Sequence, residues 1–514
     1  MKIIASVFII YSISHFHTDL RGKTLESIKV NQLATFAKIY GYVKYFHPSD
    51  EAAELDWDAF AIYGTERIIK AKEEESFVSI LYELFEPVAP SITIYPSDVI
   101  QEFNQLELMP NTYSTLDTIF WQHFGNGQLT DDNTYKSIRV NRRKNETGNN
   151  KNSNRRLFQE SLRFGEVIRN EIGSNLRCHI PLVLLADSNY TYPIAKASDL
   201  QALRSTLNET RQRVKTMKNS KAVFIGNMIN LWNSVQHFYP YFNEVSINWN
   251  EQLPEAIESC LEIDDNIRFL KFMEELISKL ADGHAYFRNY GVPIKYPKVS
   301  CEWIENKFII TNVDDQNATI VGSEIVSING IPIDDVVEKA MLKVPISHHY
   351  EMMNDVATEI FKSYGYWQRI KVVYKDSKGA MDTLVAECRF SSPYSDDRRR
   401  FSQNNVYKKI LNIDRTIAYV NLDTIKAPDF FKNLSVLEKA KAIIIDMRGY
   451  PEIGGKDIMK IIGHFIEKKD SSNWFQIPNI LYPDRKDYMQ SFTETGWRIH
   501  PAFPYLNAKI YVLI

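Results

Sequence analysis

A repeated pattern of aromatic and proline residues constrains the fold of this chain more than any other feature. The segment IYGYVKYFHP at 39–48 aligns with LWNSVQHFYP at 231–240, and a tryptophan follows nine residues after each proline, at Trp57 and Trp249. Identical spacing over this span predicts a duplicated helical unit. We expect each copy to begin with an amphipathic helix, to break at the proline and to resume after the tryptophan. We interpret the aromatic residues as packing residues rather than ligand contacts.

The residues between the two copies change from a helical pattern to a β-type pattern. Short apolar segments separated by turns, such as PSITIYP and CHIPLVLLAD, predict a β-rich, sandwich-like domain over residues 91–200. Within this domain, the polar segment RRKNETGNNKNSNRR at 142–156 predicts a flexible loop, with a carbohydrate or peptide contact as the alternative.

Length, charge and the first residues restrict the class of protein. A chain of 514 residues is too long for one hydrophobic core, so we expect several domains. The net charge of -3 argues against a nucleic-acid partner. Lys2, an apolar run and then Ser12 and Ser14 are typical of a signal peptide at 1–14, which predicts export to the periplasm, the cell envelope or the medium. The alternative is a buried first element, and we expect no stable membrane span because no apolar run is long enough.

The cysteine and lysine positions argue against the common metal and phosphate motifs. The four cysteines lack zinc-type spacing, and they either pair in an exported protein or stay as buried thiols: Cys178, Cys260, Cys301 and Cys388. Lys456 follows a glycine pair but precedes Asp457, whereas a phosphate-binding loop needs Ser or Thr there. We therefore expect no metal and no other cofactor.

The first candidate for chemistry follows the second helical copy. In LADGHAYF at 280–287, Asp282 and Gly283 are typical of a turn, which displays His284 ahead of two aromatic residues. A single histidine in such a place is more often structural than catalytic. The segments that follow this histidine in the chain favour a catalytic role for it.

The next segment has the pattern of strand, turn and helix. In VGSEIVSINGIPIDDVVEKAM at 321–341, an apolar strand leads to Asn329-Gly330, and Asp334 is placed to cap the helix that follows. This pattern resembles part of a PDZ domain, in which a peptide terminus lies beside a strand and a helix. The alternative is an unrelated small α+β domain.

A series of alternating strands and helices follows and predicts a layered α/β domain. TIAYVNLDTI and AIIIDMRG are expected as strands, and the near-continuous apolar run of the second suits a strand covered on both faces. Gly449, Gly454 and Gly455 cluster where this strand leads into a helix. Glycines there let backbone N–H groups approach an anion or oxyanion.

In their order along the chain, these motifs resemble the C-terminal-processing and tricorn-type serine peptidase family over residues 222–514. The first half is similar to the N-terminal extension of some exported bacterial members. The resemblance implies an incomplete ClpP/crotonase-like core and a role for His284 as general base. It also implies that Gly454 or Gly455, with Gly449 next, supplies an oxyanion-hole N–H. Tricorn-type members have a serine where this chain has Gly283.

The resemblance also places the nucleophile. In this family the serine follows the strand that corresponds to LNAKIYVLI at 506–514, which we expect to be a buried strand. We therefore expect a chain that ends before its nucleophile and has no covalent catalysis of its own. The alternatives are a non-catalytic protein that binds peptide C-termini through the PDZ-like domain, or a truncated product that exposes apolar surface.

The predicted layout has six parts. They are a signal peptide at 1–14, helical units at 25–90 and 221–290, the β-rich domain at 91–200, a PDZ-like domain at 291–390 and the α/β peptidase core at 405–514. The expected partner is a peptide or protein substrate, with C-terminal segments as candidates.

Overall fold

The computed structural model describes most of the chain. The described residues are 26–110, 116–127, 135–141, 156–217, 219–289, 291–313, 315–345, 349–365, 369–390, 410–412, 416–422, 425–447, 453–484 and 491–513. The first compact unit comprises Met1–Asn289 and Pro478–Thr493, and the second comprises Tyr290–Ile477 and Glu494–Ile514. The predicted signal peptide lies outside the described residues, as does nearly all of the predicted loop at 142–156.

The first unit contains blocks of helices on either side of a block of strands. Its helices are α1 (26–46), α2 (Asp50–Ala53), α3 (Trp57–Ile69), α4 (Phe77–Phe85), α5 (Ala197–Val214), α6 (Lys221–Phe238), α7 (Trp249–Glu262) and α8 (Asn266–Ser278). Its strands are β1 (Thr93–Pro96), β2 (Asp117–Phe124), β3 (Lys136–Asn141), β4 (Val167–Gly173), β5 (Leu176–Pro181), β6 (Leu184–Ala186) and β7 (Thr191–Tyr192).

The two helical segments of the first unit have matching breaks and matching contacts. α3 begins at Trp57 after the break that follows α1, and α7 begins at Trp249 after α6 ends at Phe238. The hydroxyl of Tyr40 donates to the carbonyl oxygen of Trp57 (3.1 Å), and Trp232 Nε1 donates to the carbonyl oxygen of Trp249 (3.0 Å). The predicted helix breaks are confirmed, while a duplication as their origin stays a prediction.

The helices α1 and α6 approach each other closely at Gly41. A Cβ atom at Gly41 would lie 1.8 Å from Asn233 Oδ1 and 2.6 Å from His237 Nε2, so no side chain fits there. Asn233 Nδ2 in turn donates to the carbonyl oxygen of Ala37 on α1 (3.0 Å). A buried amide hydrogen bond thus joins the two helices next to the position that lacks a side chain.

The strands of the first unit share their core with its helices. β1, β5 and β4 form one sheet, and β2, β3, β6 and β7 belong to another. Phe120 and Ile180 of the strands lie in the same hydrophobic core as Phe36 and Trp232 of the helices. This differs from the predicted separate domain at 91–200, because short strands bury their apolar faces against the helices instead of against one another.

A later stretch of the chain, at 478–493, also belongs to the first unit rather than to the α/β unit predicted at 405–514. The strand β19 (Phe475–Ile480) pairs with β2 through Asn479 and Ile480. The strand β20 (Phe492–Thr495) follows, and Asn479 N–H donates to the carbonyl oxygen of Ser491 (3.0 Å). The sequence pattern gave no indication that this later segment pairs with a strand of the first unit.

Asp484, between these strands, is buried and fully hydrogen-bonded in the first unit. Its Oδ2 accepts from the Tyr42 hydroxyl (2.6 Å) and from Asn170 Nδ2 (3.1 Å), and its Oδ1 accepts from Gln236 Nε2 (2.9 Å). Its backbone N–H donates to His237 Nδ1 (3.1 Å). Burial and the Asp484 carboxylate raise the pKa of Tyr42, so this hydroxyl stays protonated and donates.

The second unit begins with a sheet and two helices that share one core. The strands are β8 (Ile294–Pro297), β9 (Val299–Ile304), β10 (Lys307–Val313), β11 (Glu324–Ile328), β12 (Ile331–Pro332), β13 (Ser363–Tyr364), β14 (Arg369–Lys375) and β15 (Met381–Phe390). The helices are α9 (Ile333–Met341) and α10 (His349–Glu359). The strand order is β13-β8-β15-β14-β11-β10-β9, so β9 lies at one end of the sheet.

The predicted turn in this sheet is confirmed, and the predicted helix cap is wrong. Asn329 and Gly330 both have positive φ, at 52° and 80°, as a tight hairpin turn with an Asn-Gly pair requires. The helix α9 has Pro332 as its N-cap, with no side-chain cap hydrogen bond. Asp334 therefore lies in the first helical turn, where its carboxylate interacts favourably with the helix dipole instead of capping the helix.

The remainder of the second unit is a small α/β arrangement. β16 (Ile410–Asn412), β17 (Ile417–Asn421), β18 (Ala442–Asp446) and β21 (Lys509–Leu513) form a four-stranded sheet in this order, and β17, β18 and β21 are parallel. Helices α11 (Ala427–Lys432), α12 (Leu434–Leu437) and α13 (Gly455–Gly463) contribute to its core.

The strand predicted at the end of the chain is present, but the prediction that it is buried is wrong. Tyr511 and Val512 of β21 are 55% and 50% exposed. The strand pairs with β18 on one side and lies at the end of the sheet order. Within the described residues, no core cluster includes its apolar side chains at 510–513.

We predict that Gly41→Ala destabilises the first unit. The added methyl group overlaps Asn233 Oδ1 and forces α1 and α6 apart, which should lower the free energy of unfolding by roughly 1–3 kcal/mol. Urea denaturation followed by circular dichroism measures the change. Gly283→Ala is the matched control, because a Cβ atom there meets nothing within 4 Å. Equal stability of the two variants would contradict the close helix approach.

Candidate functional site

His284 lies on an exposed turn after α8. Ala281 has a positive φ of 52°, which turns the chain after the helix, and the His284 side chain is 95% exposed. Asp282 Oδ1 accepts from the backbone N–H of His284 (2.9 Å) and lies 3.4 Å from His284 Nδ1. A carboxylate at Nδ1 favours a proton on that nitrogen and leaves Nε2 available to accept one.

Asp282 is the residue that sequence reasoning assigned only to the turn. The resemblance implied that this chain lacks the serine that neighbours the histidine in tricorn-type members, because Gly283 occupies that position. In the structure, a carboxylate one residue earlier lies beside the imidazole instead. The Asp-x-His spacing was the available signal, since an Asp two residues before a histidine can reach its ring nitrogen.

Gly454 and Gly455 form the N-terminus of α13. Gly454 is the N-cap residue, with φ of -64° and no side-chain cap hydrogen bond, and a Cβ atom on either glycine would meet nothing within 4 Å. The first backbone N–H groups of a helix have no partner within it and favour anions. The third predicted glycine, Gly449, lies outside the described residues.

The strand that precedes these glycines ends at a buried carboxylate. Asp446 is buried at the end of β18, and its Oδ2 accepts from the Tyr419 hydroxyl (2.5 Å). Arg448 lies outside the described residues. His284 belongs to the first unit and the two described glycines belong to the second, so the candidate base and oxyanion donors are described in separate units.

The strand β9 and the helix α10 define a second candidate site, for a peptide. β9 pairs with β10 and lies at the end of the sheet order, and Cys301 Sγ on it donates to the carbonyl oxygen of Ala357 on α10 (3.5 Å). Lys298 is half-buried and directly precedes β9. A peptide that adds to such an edge gains main-chain hydrogen bonds, with side-chain pockets setting specificity.

Three serine–histidine contacts in the first unit do not form nucleophile–base pairs. His47 contacts Ser91 Oγ through Nε2 (2.8 Å) and Ser49 Oγ through Nδ1 (2.9 Å), and His123 Nδ1 contacts Ser137 Oγ (2.8 Å). Burial lowers the pKa of both histidines to about 3, so neither is a competent base near neutral pH. Among the described residues, we assign these contacts to packing and hydrogen-bond satisfaction.

The four cysteines are free and buried, which resolves the two alternatives left by the sequence in favour of thiols. Burial raises the pKa of the Cys178 thiol to about 12 and raises that of Cys260 further. Thiols held in this protonated state are poor nucleophiles and poor metal ligands.

The described residues contain no group of three or more histidine, cysteine, aspartate or glutamate side chains arranged to hold a metal ion. None of the described helices combines the length and the apolar composition that a membrane crossing requires.

Comparisons with known proteins identify one domain of the chain. Residues 297–398 match the family model of the PDZ domain, so this is a PDZ-containing protein and the PDZ prediction is confirmed. Curated proteins give no match.

Among solved structures, the chain is similar to CPAF. The crystal structure of mature CPAF aligns with 48% of this chain and 58% of its own, at 11% identity and a TM-score of 0.38. The structure of mature CPAF complexed with lactacystin aligns with 48% of this chain and 59% of its own, at 11% identity and a TM-score of 0.37. The crystal structure of a CPAF mutant aligns with 56% of this chain and 77% of its own, at 11% identity and a TM-score of 0.41. In the first two alignments this chain therefore spans less than two thirds of the length of CPAF.

We predict that the first unit loses stability as the pH falls from 6.5 towards 4. Burial lowers the pKa of His47 and His123 to about 3 and that of His237 to about 4, from 6.5 in an exposed histidine. The unfolded chain therefore binds more protons in this range, and each histidine should cost about 1.4 kcal/mol per pH unit. Urea denaturation at pH 7.5, 6 and 5 measures the slope.

The variant His237→Gln provides the control for this slope. It removes one of four buried histidines with a lowered pKa, the fourth being His179, so the pH dependence between 6.5 and 5 should fall by about a quarter to a third. A free energy of unfolding that stays constant over this range in the unmodified chain would contradict the burial of neutral histidines.

Proposed function

We propose that this chain is the peptide-binding and scaffolding part of an exported serine peptidase of the C-terminal-processing or tricorn-like type. The PDZ domain at 297–398 carries the proposal, because PDZ domains bind peptides. In chain order, this domain follows the His284 turn and precedes the strand, glycines and helix of the α/β region. That order is the one that the sequence resemblance implies.

In this proposal His284 is the general base. It takes the proton of the nucleophile and returns it to the leaving amine, with Nε2 as the reacting nitrogen. The 3.4 Å contact between His284 Nδ1 and Asp282 Oδ1 supports this role, since a carboxylate there favours the tautomer that carries its proton on Nδ1. The 95% exposure of the His284 side chain leaves the imidazole accessible to a nucleophile.

The glycine N-terminus of α13 has the matching role of oxyanion donor. The backbone N–H groups of Gly454 or Gly455 would stabilise the negative charge that develops on the attacked carbonyl oxygen, with Gly449 as a further candidate. One such donor is worth about 3–4 kcal/mol in the transition state. The absence of a side-chain cap at Gly454 supports this role. The α/β region would then be the incomplete ClpP/crotonase-like core.

The nucleophile is assigned by the resemblance to a serine after β21. No serine within the chain corresponds to that position: Ser327 lies in β11 of the PDZ domain, and Ser435 lies in α12. In this assignment, hydrolysis needs a serine supplied after β21. The substrates would be exported peptides or proteins, recognised through C-terminal segments.

A non-catalytic peptide-binding protein is the second candidate function. The PDZ match favours it, since recognition needs this domain alone. The two functions make the same prediction for peptide binding and differ in whether a serine supplied after β21 restores hydrolysis.

We predict that the full chain binds peptides with a free C-terminal carboxylate more tightly than the same peptides with an amidated C-terminus. A peptide added antiparallel to β9 places its C-terminus at the beginning of that strand, beside Lys298. Lys298→Ala should therefore weaken binding of the carboxylate form by about five- to tenfold. Fluorescence polarisation with a labelled peptide library measures both differences, and mass spectrometry should recover the peptides uncleaved.

Lys307→Ala is the matched control for the lysine substitution. Lys307 begins β10, after the turn at the far end of β9, and pairs with Glu324, so its loss should leave peptide affinity within about twofold. Peptide binding that ignores the terminal carboxylate, or that responds equally to both lysines, would overturn the proposed mode of recognition. Absence of binding to a diverse library would overturn the proposed function itself.

A further inference from the structure

A cavity of about 400 Å³ is lined by residues of the first unit alone. Its floor is one face of the sheet formed by β2 and β3, in which Trp121 pairs with Arg139 and Ile119 pairs with Asn141. Alternate residues of a strand project to the same face, so these four side chains lie side by side. The remaining wall comes from Asp50 at the start of α2 and from residues 186–191.

The Asp50–Arg139 ion pair fixes one side of this cavity. Arg139 Nη1 donates to Asp50 Oδ1 (2.7 Å) and to the carbonyl oxygen of Pro48 (3.2 Å). Asp50 Oδ2 accepts from the backbone N–H of Thr191 (2.9 Å), and Asp50 N–H donates to Thr191 Oγ1 (3.0 Å). Among the described contacts Arg139 uses only Nη1, which leaves Nε and Nη2 as donors for a ligand.

Asp187 holds the loop at 187–191, which also lines the cavity. Its Oδ1 accepts from the backbone N–H groups of Asn189 (2.7 Å) and Tyr190 (2.8 Å), and its Oδ2 accepts from the Tyr192 hydroxyl (2.5 Å). These hydrogen bonds, that from Tyr192 above all, lower the pKa of Asp187 and keep it charged. These hydrogen bonds hold the loop in place. Tyr190 on this loop lines the cavity and is 55% exposed.

The aromatic ring on the floor is also held in place. Trp121 is half-buried, its ring stacks on His123 with a centroid distance of 5.6 Å and an interplanar angle of 15°, and its Nε1 donates to the carbonyl oxygen of His47 (3.2 Å). A cavity with a fixed indole, an exposed phenol ring and several planar polar groups offers both apolar faces and hydrogen-bonding edges to one ligand.

The charge of the lining discriminates between ligand classes. Asp50 and Arg139 neutralise each other, and Asp187 leaves one negative charge, so phosphates and peptide carboxylates are disfavoured. A sugar ring combines an apolar C–H face with hydroxyl groups that both donate and accept hydrogen bonds. The volume also lies within the range of about 300–1,000 Å³ that is typical of small-molecule sites.

We propose that this cavity binds a neutral saccharide, with a sugar ring against Trp121 and Tyr190 and its hydroxyl groups between Arg139 and Asn189. The site is independent of peptide recognition by the PDZ domain, because every lining residue belongs to the first unit. The protein would thus hold a carbohydrate with one unit and a peptide with the other.

Saturation-transfer NMR on the full 514-residue chain tests this proposal. The probes are neutral mono- and disaccharides, namely glucose, galactose, mannose, N-acetylglucosamine and their β-linked dimers, with inorganic phosphate and a phosphoserine peptide as anionic probes. At least one neutral saccharide should receive saturation. Tyr190→Ala should weaken its binding about fivefold or more, since it removes one aromatic wall.

Tyr241→Ala is the matched control. Tyr241 is a tyrosine of the same unit with 53% exposure, it lies outside the cavity lining, and its loss should leave saccharide affinity within about twofold. Circular dichroism melts confirm that both variants fold. Saturation of no saccharide, saturation of the anionic probes instead, or equal effects of the two substitutions would each overturn the proposal.

Discussion

The close approach of α1 and α6 at Gly41 is the contact on which the first unit depends. The absence of a side chain there lets Asn233 reach across to the backbone of α1, and the aromatic core of both helical segments packs around this crossing. Asp484 then binds the same two helices, through Tyr42 of α1 and Gln236 of α6. Three segments that are remote in sequence therefore stabilise one another through two sets of buried hydrogen bonds, one made by Asn233 and one made by Asp484.

The helices and turns could be predicted from the sequence because their signals are local. The prolines and tryptophans indicate where the helices of the repeat break. The Asn329-Gly330 pair indicates a tight hairpin turn, because both residues tolerate the positive φ that such a turn requires. The PDZ domain followed from such signals together with their order. The helix N-cap was misassigned to Asp334 because cap and first-turn positions favour the same residue types.

The long-range features could not be predicted, since they depend on contacts between remote segments. Nothing local in residues 478–493 indicates that they join the first unit, and Asp484 is recognisable only by its four partners. The exposure of β21 likewise depends on its place at the end of a sheet rather than on its apolar composition. Of the predicted site, His284 and the helix N-terminus at Gly454 lie within the described residues. The contact between Asp282 and His284 depends on the conformation of the turn, which the sequence alone did not indicate.

The proposed function places recognition and chemistry in different parts of the chain. In that proposal, the edge strand of the PDZ domain beside a helix would hold the peptide, and the exposed His284 with its neighbouring carboxylate would accept the proton. The buried histidines cannot take that role, because burial makes them inaccessible and their lowered pKa values make them weak bases.

The most direct test of the peptidase assignment is to supply the segment that the resemblance places after β21, from the coding sequence downstream of residue 514, and to measure hydrolysis of a bound peptide. We expect a serine-bearing turn and helix there, hydrolysis when it is present, and a loss of at least about a hundredfold with His284→Ala but not with the exposed control His500→Ala. A downstream sequence without such a serine, or hydrolysis that survives His284→Ala unchanged, would contradict the account.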